Sequence, residues 1–272
     1  MDQAPVGGVK LQTGISRKTF TPVAICTKDR VVLRSIKQLH GDKLAASDGE
    51  IGHVKDFYFD DQNWVIRYLV VDTGSWLSGR LVLISPHAFG DLYEDAHRLV
   101  VNLTRLQIES SPAIEEHKPV SRQYEEEYHR HYGWPAYWEG GGMWGTGAFP
   151  LGAPPLQAEP VTGASGDSSN RDDPHLRSTR AVRGYQIQTI EGPIGHVIDF
   201  MIDDKSWAIR GLLVDTCHWF RGKEIVISPE HVTGISYEES KVFVDVSKQA
   251  IERAKEYHVP RATYHDTRGF DD

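Results

Sequence analysis

The stretch Ile51-Gly52-His53-Val54-Lys55-Asp56-Phe57 returns 143 positions later as Ile194-Gly195-His196-Val197-Ile198-Asp199-Phe200. The match runs outward from this block without a gap, and residues 35–104 set against 178–247 agree at 24 of 70 positions. Asp60-Asp61-x-x-Trp64-x-Ile66-Arg67-x-Leu69-x-Val71-Asp72-Thr73 recurs as Asp203-Asp204-x-x-Trp207-x-Ile209-Arg210-x-Leu212-x-Val214-Asp215-Thr216. Trp76, Gly79 and Ile84-Ser85-Pro86 recur as Trp219, Gly222 and Ile227-Ser228-Pro229. Identity of this extent marks an internal duplication. Two copies of this size make a doubled domain, not a solenoid.

Each copy reads as β-structure. Val65–Val71 and Ala208–Val214 are rich in strand formers and bounded by turn residues. In the run from Val54 to Phe59 the apolar phase shifts between Val54 and Phe57, which predicts a β-bulge. Asp60-Asp61-Gln62-Asn63 reads as a hairpin turn, because Asp and Asn side chains bond the backbone two residues on. Further strands fit Lys43–Ala46, Arg80–Ile84 and Arg98–Leu103, with equivalents in copy two. Five or six short strands without an intervening long helix predict an all-β fold: two tandem small barrels, each followed by a short helical segment. Closure would also remove exposed sheet edges.

The predicted organisation is a loosely ordered segment (1–30), a first barrel (31–110), a helical aromatic segment (111–138), a Gly/Pro linker (139–175), a second barrel (176–250), and a helix with tail (251–272). A helix over Ser121–Tyr132 places Tyr124, Tyr128 and Tyr132 on one stripe and spaces Glu125 from His129 as an i,i+4 pair. Its expected counterpart in copy two is Lys248–Tyr257. The linker, with its Gly-Gly-Gly and Ala-Pro-Pro runs, has a composition expected to stay disordered.

Composition excludes several classes. Of 272 residues, 30 Lys+Arg stand against 38 Asp+Glu, a net −8, and each copy carries more acid than base. That balance disfavours nucleic acid and anionic lipid, whose binding rests on basic neutralisation of phosphate. Cys26 and Cys217 form no C-x-x-C, no apolar run reaches 18 residues, and the first residues show no secretory pattern. These features predict a cytoplasmic protein without direct membrane insertion. Gly140-x-Gly142-x-x-Gly145 spells the dinucleotide pattern, but no strand precedes it and no helix-forming sequence follows. His53 and His196 lack a second histidine at ligand spacing. No catalytic residue, cofactor or metal is therefore expected.

The repeated charges read as structural. A hairpin pairing residues whose numbers sum to 123 would set Asp56 against Arg67, with Asp199 against Arg210 in copy two, as cross-strand ion pairs. Both copies keep these residues while their loops diverge. The surface aromatics are the candidate partner-binding residues: Trp76 and Trp219 in short Gly-terminated loops, and Tyr124, Tyr128, Trp134 and Trp138. An exposed aromatic cluster of this kind would form an interface.

The motif Gly-x-Ile-Gly-x-Val-x-Asp, a hairpin, the Leu-Val-Val-Asp strand and a strand ending in Ser-Pro resembles the PRC-barrel domain, once over Gly49–Pro86 and again over Gly192–Pro229. The family takes its name from the cytoplasmic barrel of the photosynthetic reaction-centre H subunit, and a related barrel occurs in a ribosome maturation factor. The Trp64-to-Thr73 stretch and Tyr132-Gly-Trp-Pro-x-Tyr-Trp138 resemble a bacterial stand-alone subfamily with tandem barrels. The resemblance implies a non-enzymatic adaptor whose barrels bind a protein partner, with the two barrels docked about a pseudo-twofold axis. It also suggests an accessory to photosynthetic or other membrane electron transfer. A third reading is a small-ligand binder or enzyme with a pocket near Arg67, Arg210, Trp76 and Trp219.

Overall fold

The structure is a computed structural model that describes residues 33–89, 98–114, 120, 122–150, 176–216 and 222–257. Copy one forms β1 (Leu33–Ser35), α1 (Ile36–Leu39), β2 (Lys43–Ala46), β3 (Gly49–Asp60), β4 (Val65–Asp72), β5 (Leu81–Ile84), β6 (Arg98–Val100), α2 (Arg105–Glu109) and α3 (Arg122–Tyr132). Copy two forms β7 (Leu176–Ser178), α4 (Thr179–Val182), β8 (Gln186–Thr189), β9 (Gly192–Asp203), β10 (Ile209–Asp215), β11 (Glu224–Ile227), β12 (Val232–Ser236), β13 (Lys241–Val244) and α5 (Lys248–Arg253). The fold is all-β in two copies. One sheet runs β5-β4-β3-β2-β6 and the other β11-β10-β9-β8-β13-β12, and among the described residues no pairing closes either into a barrel.

Local features follow from the sequence. The bulge lies between Val54 and Asp56, where the β3–β4 register shifts. Asp60 Oδ1 accepts the amides of Gln62 and Asn63 and so fixes the hairpin turn, as Asp203 Oδ1 does for Lys205 and Ser206. The glycine of the repeated Ile-Gly-His block is a matter of space. A Cβ on Gly52 would lie 2.0 Å from the Asp72 carbonyl oxygen, and one on Gly195 would lie 2.0 Å from that of Asp215.

Two expectations about the helices change. Ile108-Glu109 and their match Ile251-Glu252 lie on α2 and α5, so α5 is the 143-residue equivalent of α2, and α3 has no equivalent among the described residues. The short helices α1 and α4 escaped the sequence because four residues carry no readable periodicity.

The copies exchange their first strands. β1 of copy one pairs with β9 of copy two, while β7 of copy two pairs with β3 of copy one. The reason lies in strand length. β2 covers only Gly49–His53 along one edge of the twelve-residue β3, which leaves Tyr58–Asp60 to pair with β7. Unpaired, that edge would expose backbone donors and acceptors. Ion pairs repeat the exchange: Arg177 meets Asp61 at 2.6 Å, and Arg34 meets Asp204 at 3.5 Å.

The repeated aspartates serve this exchange instead of the expected cross-strand pairs. Asp56 stands opposite Val70, not Arg67, because the hairpin closes with Asp60 opposite Val65 and the register shifts again between Tyr58 and Phe59. Its carboxylate accepts the Ser178 hydroxyl, the Thr179 hydroxyl (3.1 Å) and the Arg180 amide (3.1 Å), capping α4 of the other copy. Asp199 accepts the Ser35 hydroxyl and the Lys37 amide (3.0 Å), capping α1 in return. Asp56→Ala or Asp199→Ala is expected to cost about 1–3 kcal/mol, as loss of a charged cap leaves buried donors unsatisfied. Chemical denaturation measures the cost. Amide exchange should show Asp56→Ala freeing residues 178–180 of the opposite copy.

Where the copies meet, Val65 bridges Ala208. The Ile66 amide donates to the Trp207 carbonyl (2.9 Å), and the Ile209 amide donates to that of Trp64 (2.7 Å). Trp64 and Trp207 both hold left-handed φ, 54° and 58°, which bulky residues adopt only when their surroundings fix them. The copies share one apolar core, with Phe59 and Phe200 rings 5.4 Å apart.

Candidate functional site

In copy one, α3 and residues 134–150 form a strap over β4 and β5. The tyrosine stripe faces inward. Tyr128 meets Tyr68 of β4 edge-on at 5.4 Å and Tyr132 at 5.0 Å, and Tyr132 stacks on Trp134 at 4.4 Å. The Tyr128 hydroxyl donates to the Leu83 carbonyl (3.1 Å) and accepts the Ser85 amide (3.0 Å), completing the outer edge of β5. Tyr128, Tyr132, Trp134 and Tyr137 are buried, while Tyr124 and Trp138 are half-buried against the core. The aromatic cluster therefore covers its own sheet instead of presenting an interface, because that sheet edge carries polar groups that need partners.

Residues 139–150, expected as part of a disordered linker, are folded. Gly142 bridges Gly145 and Trp144 bridges Gly147. The glycines of the Gly140-x-Gly142-x-x-Gly145 pattern permit this backbone crossing: a Cβ on Gly140 or Gly142 would lie under 3 Å from main-chain atoms. Trp144 is buried. Residues 151–175, also assigned to the linker, lie outside the described residues.

Beneath the strap lies a closed polar cluster. Tyr68 and Tyr137 hydroxyls both donate to Glu125 Oε1, at 2.8 and 2.7 Å, and Arg122 meets Glu125 Oε2 at 3.1 Å. His129 Nδ1 lies 2.9 Å from the Pro135 carbonyl and donates there, while its Nε2 lies 3.0 Å from the oxygen of the Tyr68 hydroxyl, whose one proton goes to Glu125. Burial drives the pKa of His129 down to about 3, with the positive charges of neighbouring groups adding to it, and pushes the Tyr68 and Tyr128 hydroxyls well up. Burial likewise pushes Tyr132 up to about 12. The glutamate and histidine, spaced as an i,i+4 surface pair in the sequence, are interior groups.

An unfolded histidine takes a proton below about pH 6.5, whereas folded His129 does so only near 3. Between those values the unfolded chain binds more protons, so the contribution of His129 is full above 6.5 and is lost as pH falls. Denaturation midpoints should therefore drop from pH 7 to pH 4.5, and His129→Gln should flatten the drop.

Arg67 anchors the strap. Its guanidinium donates to Asp60 Oδ2 (2.8 Å) and to the Met143 carbonyl (2.6 Å), and it lies under the Tyr137 ring (3.9 Å) and near the Trp144 ring (5.0 Å). Burial raises the Asp60 pKa, but hydrogen bonds from Arg67 and Asn63 outweigh it and hold the carboxyl below its ordinary value. Arg210 makes the same bond to Asp203 (2.9 Å), but its side chain is 44% exposed against 1% for Arg67.

The equivalent face of copy two has no strap among the described residues. There an open cleft of about 500 Å³ runs from the 61–64 hairpin to residues 228–232, with Arg210 on its wall. It is the counterpart of the pocket expected between the barrels, but Trp64 and Met143 line it in place of Arg67 and Trp76. Trp76 is half-buried, with the Arg105 guanidinium 4.5 Å above its ring, so its loop is tied to α2. Trp219 lies outside the described residues. His53 and His196 are exposed on separate sheets. Sequence reasoning missed Asp60, Asp203 and Trp144 as partners of the repeated arginines. The available signal for Trp144 was a tryptophan within a glycine-rich run.

These features define a duplicated all-β protein in which one copy has its outer face closed by a helix and an aromatic strap, while among the described residues nothing equivalent closes the other. The chain belongs to the PRC-barrel domain family, whose model matches residues 33–107 and 176–251, together more than half its length. No curated protein matches the chain. Among the described residues no helix is long and apolar enough to cross a membrane.

Proposed function

We propose that the protein is a non-enzymatic adaptor that binds a protein partner through its PRC-barrel units. One observation carries this reading. The acid, base and hydroxyl groups of the closed polar cluster are engaged with one another under the aromatic strap, whereas among the described residues copy two presents an open, mixed polar and aromatic cleft. Glu125, Tyr68 and His129 are each at most 3% exposed, which gives a substrate no approach to them. Buried, mutually bonded polar groups of this kind fix a unique packing. An exposed arginine beside an aromatic ring has the composition of a protein–protein contact.

The test is affinity capture of the tagged full-length protein from its host's lysate, with soluble and membrane fractions read separately by mass spectrometry. A stoichiometric protein partner in either fraction is expected. A membrane electron-transfer complex as that partner would place the adaptor with the reaction-centre relative. Capture of no stoichiometric protein in both fractions would overturn the adaptor reading and favour a small-molecule ligand.

A further inference from the structure

We infer that the copy-two cleft, which no strap covers among the described residues, is the twin of the pocket Trp144 fills, and that it receives a tryptophan of the protein partner, with the main-chain carbonyl before that tryptophan taken by Arg210. This deepens the adaptor reading and rests on it.

The filled pocket shows what such a site needs. Arg67 takes the Met143 carbonyl at 2.6 Å. The Trp144 ring lies 5.0 Å from the Arg67 guanidinium and meets His87 edge-on at 5.0 Å. The Trp144 indole N–H donates to the Ser206 carbonyl (2.9 Å), which belongs to the hairpin of the other copy. Each pocket is thus built from both copies, and the 143-residue offset generates a second set of fittings. Arg67 becomes Arg210, Ser206 becomes Asn63, the Ser85-Pro86 turn becomes Ser228-Pro229, and His87 becomes Glu230. All of these second-set residues line the same cleft.

The differences between the twins favour an outside occupant. Phe89 packs on Trp207 at 5.0 Å, but its equivalent is the smaller Val232, which leaves the Trp64 ring half-exposed along the cleft. Glu230 is exposed and offers a carboxylate where His87 presents a ring edge, so an indole N–H has an acceptor there. The Tyr128 hydroxyl satisfies Leu83 and Ser85 on β5, yet among the described residues no side chain bonds the equivalent backbone groups of Val226 and Ser228 on β11. The charges match as well: Arg210 keeps one carboxylate, Asp203, and its exposed side can take a carbonyl as Arg67 does. Tryptophan and arginine dominate such contacts because a large ring and a planar donor bury well together.

The probe is a synthetic, fluorescein-labelled peptide of this chain's own strap, residues 134–147, titrated into the ¹⁵N-labelled full-length protein. Saturable binding is expected, with amide shifts at Asn63, Ser228 and Glu230. Arg210→Ala in the protein, or alanine for the peptide residue corresponding to Trp144, should each weaken binding about tenfold or more, the scale of losing one anchor residue. Arg210 is exposed, so the variant keeps its fold, which the amide spectrum checks. Shifts confined to the Tyr68 and His87 region would mean the peptide displaces the resident strap and would overturn the inference, as would unchanged binding to Arg210→Ala. Equal affinity for N-acetyl-tryptophanamide would make the cleft a small-molecule site and also overturn it. A lysate partner captured equally well by Arg210→Ala would sink the cleft assignment while leaving the adaptor reading standing.

Discussion

Arg67→Ala should destabilise the protein by about 3–5 kcal/mol, the cost of breaking a buried ion pair by removing one partner. Its guanidinium, 1% exposed, holds Asp60, the Met143 carbonyl and two aromatic rings together. The truncation leaves the buried Asp60 carboxylate and the Met143 carbonyl short of a donor and opens a void under Tyr137 and Trp144. The equivalent Arg210→Ala removes the same bond to Asp203 from a side chain 44% exposed, and exposed pairs contribute about 0–1 kcal/mol. Urea denaturation of both variants gives the comparison. Equal losses would mean that the strap does not seal Arg67.

The second large effect separates two residues that look alike in sequence. Trp207 is 2% exposed, packed on Phe89, and its carbonyl accepts the Ile66 amide. Trp207→Ala should cost about 3–5 kcal/mol, as large-to-small changes in a core do. Trp64 stacks on Phe59 at 5.6 Å but borders the open cleft. Trp64→Ala should cost about 1–2 kcal/mol, since part of the ring already meets water. Denaturation midpoints at constant slope measure both. A Trp64 loss equal to that of Trp207 would place both indoles in equivalent, closed surroundings.

Much of the fold was legible because duplication repeats its own signals. The strand Lys43–Ala46 has the bounds its sequence suggests, and the bulge after Val54 follows from the shift of apolar phase between Val54 and Phe57. The Asp-Asp hairpin follows from side-chain bonds that are local in sequence. Strand exchange was not legible, because β1 and β7 are three residues each and their partners lie far along the chain. The Asp56–Arg67 pairing failed because the hairpin closes with Asp60 opposite Val65 and the register shifts after Tyr58, so Asp56 faces Val70 and Arg67 meets Asp60. Of the candidate interface residues, Tyr128 and Trp134 turned inward, since periodicity shows which residues share a stripe and not what the stripe faces. A pocket near Arg210 was expected, but its lining by Trp64 and Met143 was not legible for the same reason. It exists because copy two lacks an α3 equivalent among the described residues and carries Val232 and Glu230 where copy one has Phe89 and His87.

The central claim is that one copy is closed and its twin open, and residue-resolved amide hydrogen exchange tests it most directly. The Ser85 amide donates to the buried Tyr128 hydroxyl, and its equivalent Ser228 borders the cleft. Under native conditions Ser85 should exchange about 100-fold or more slowly than Ser228, because protected amides open only with larger unfolding events. Equal protection at the two serines would show that both faces are covered and would contradict the account.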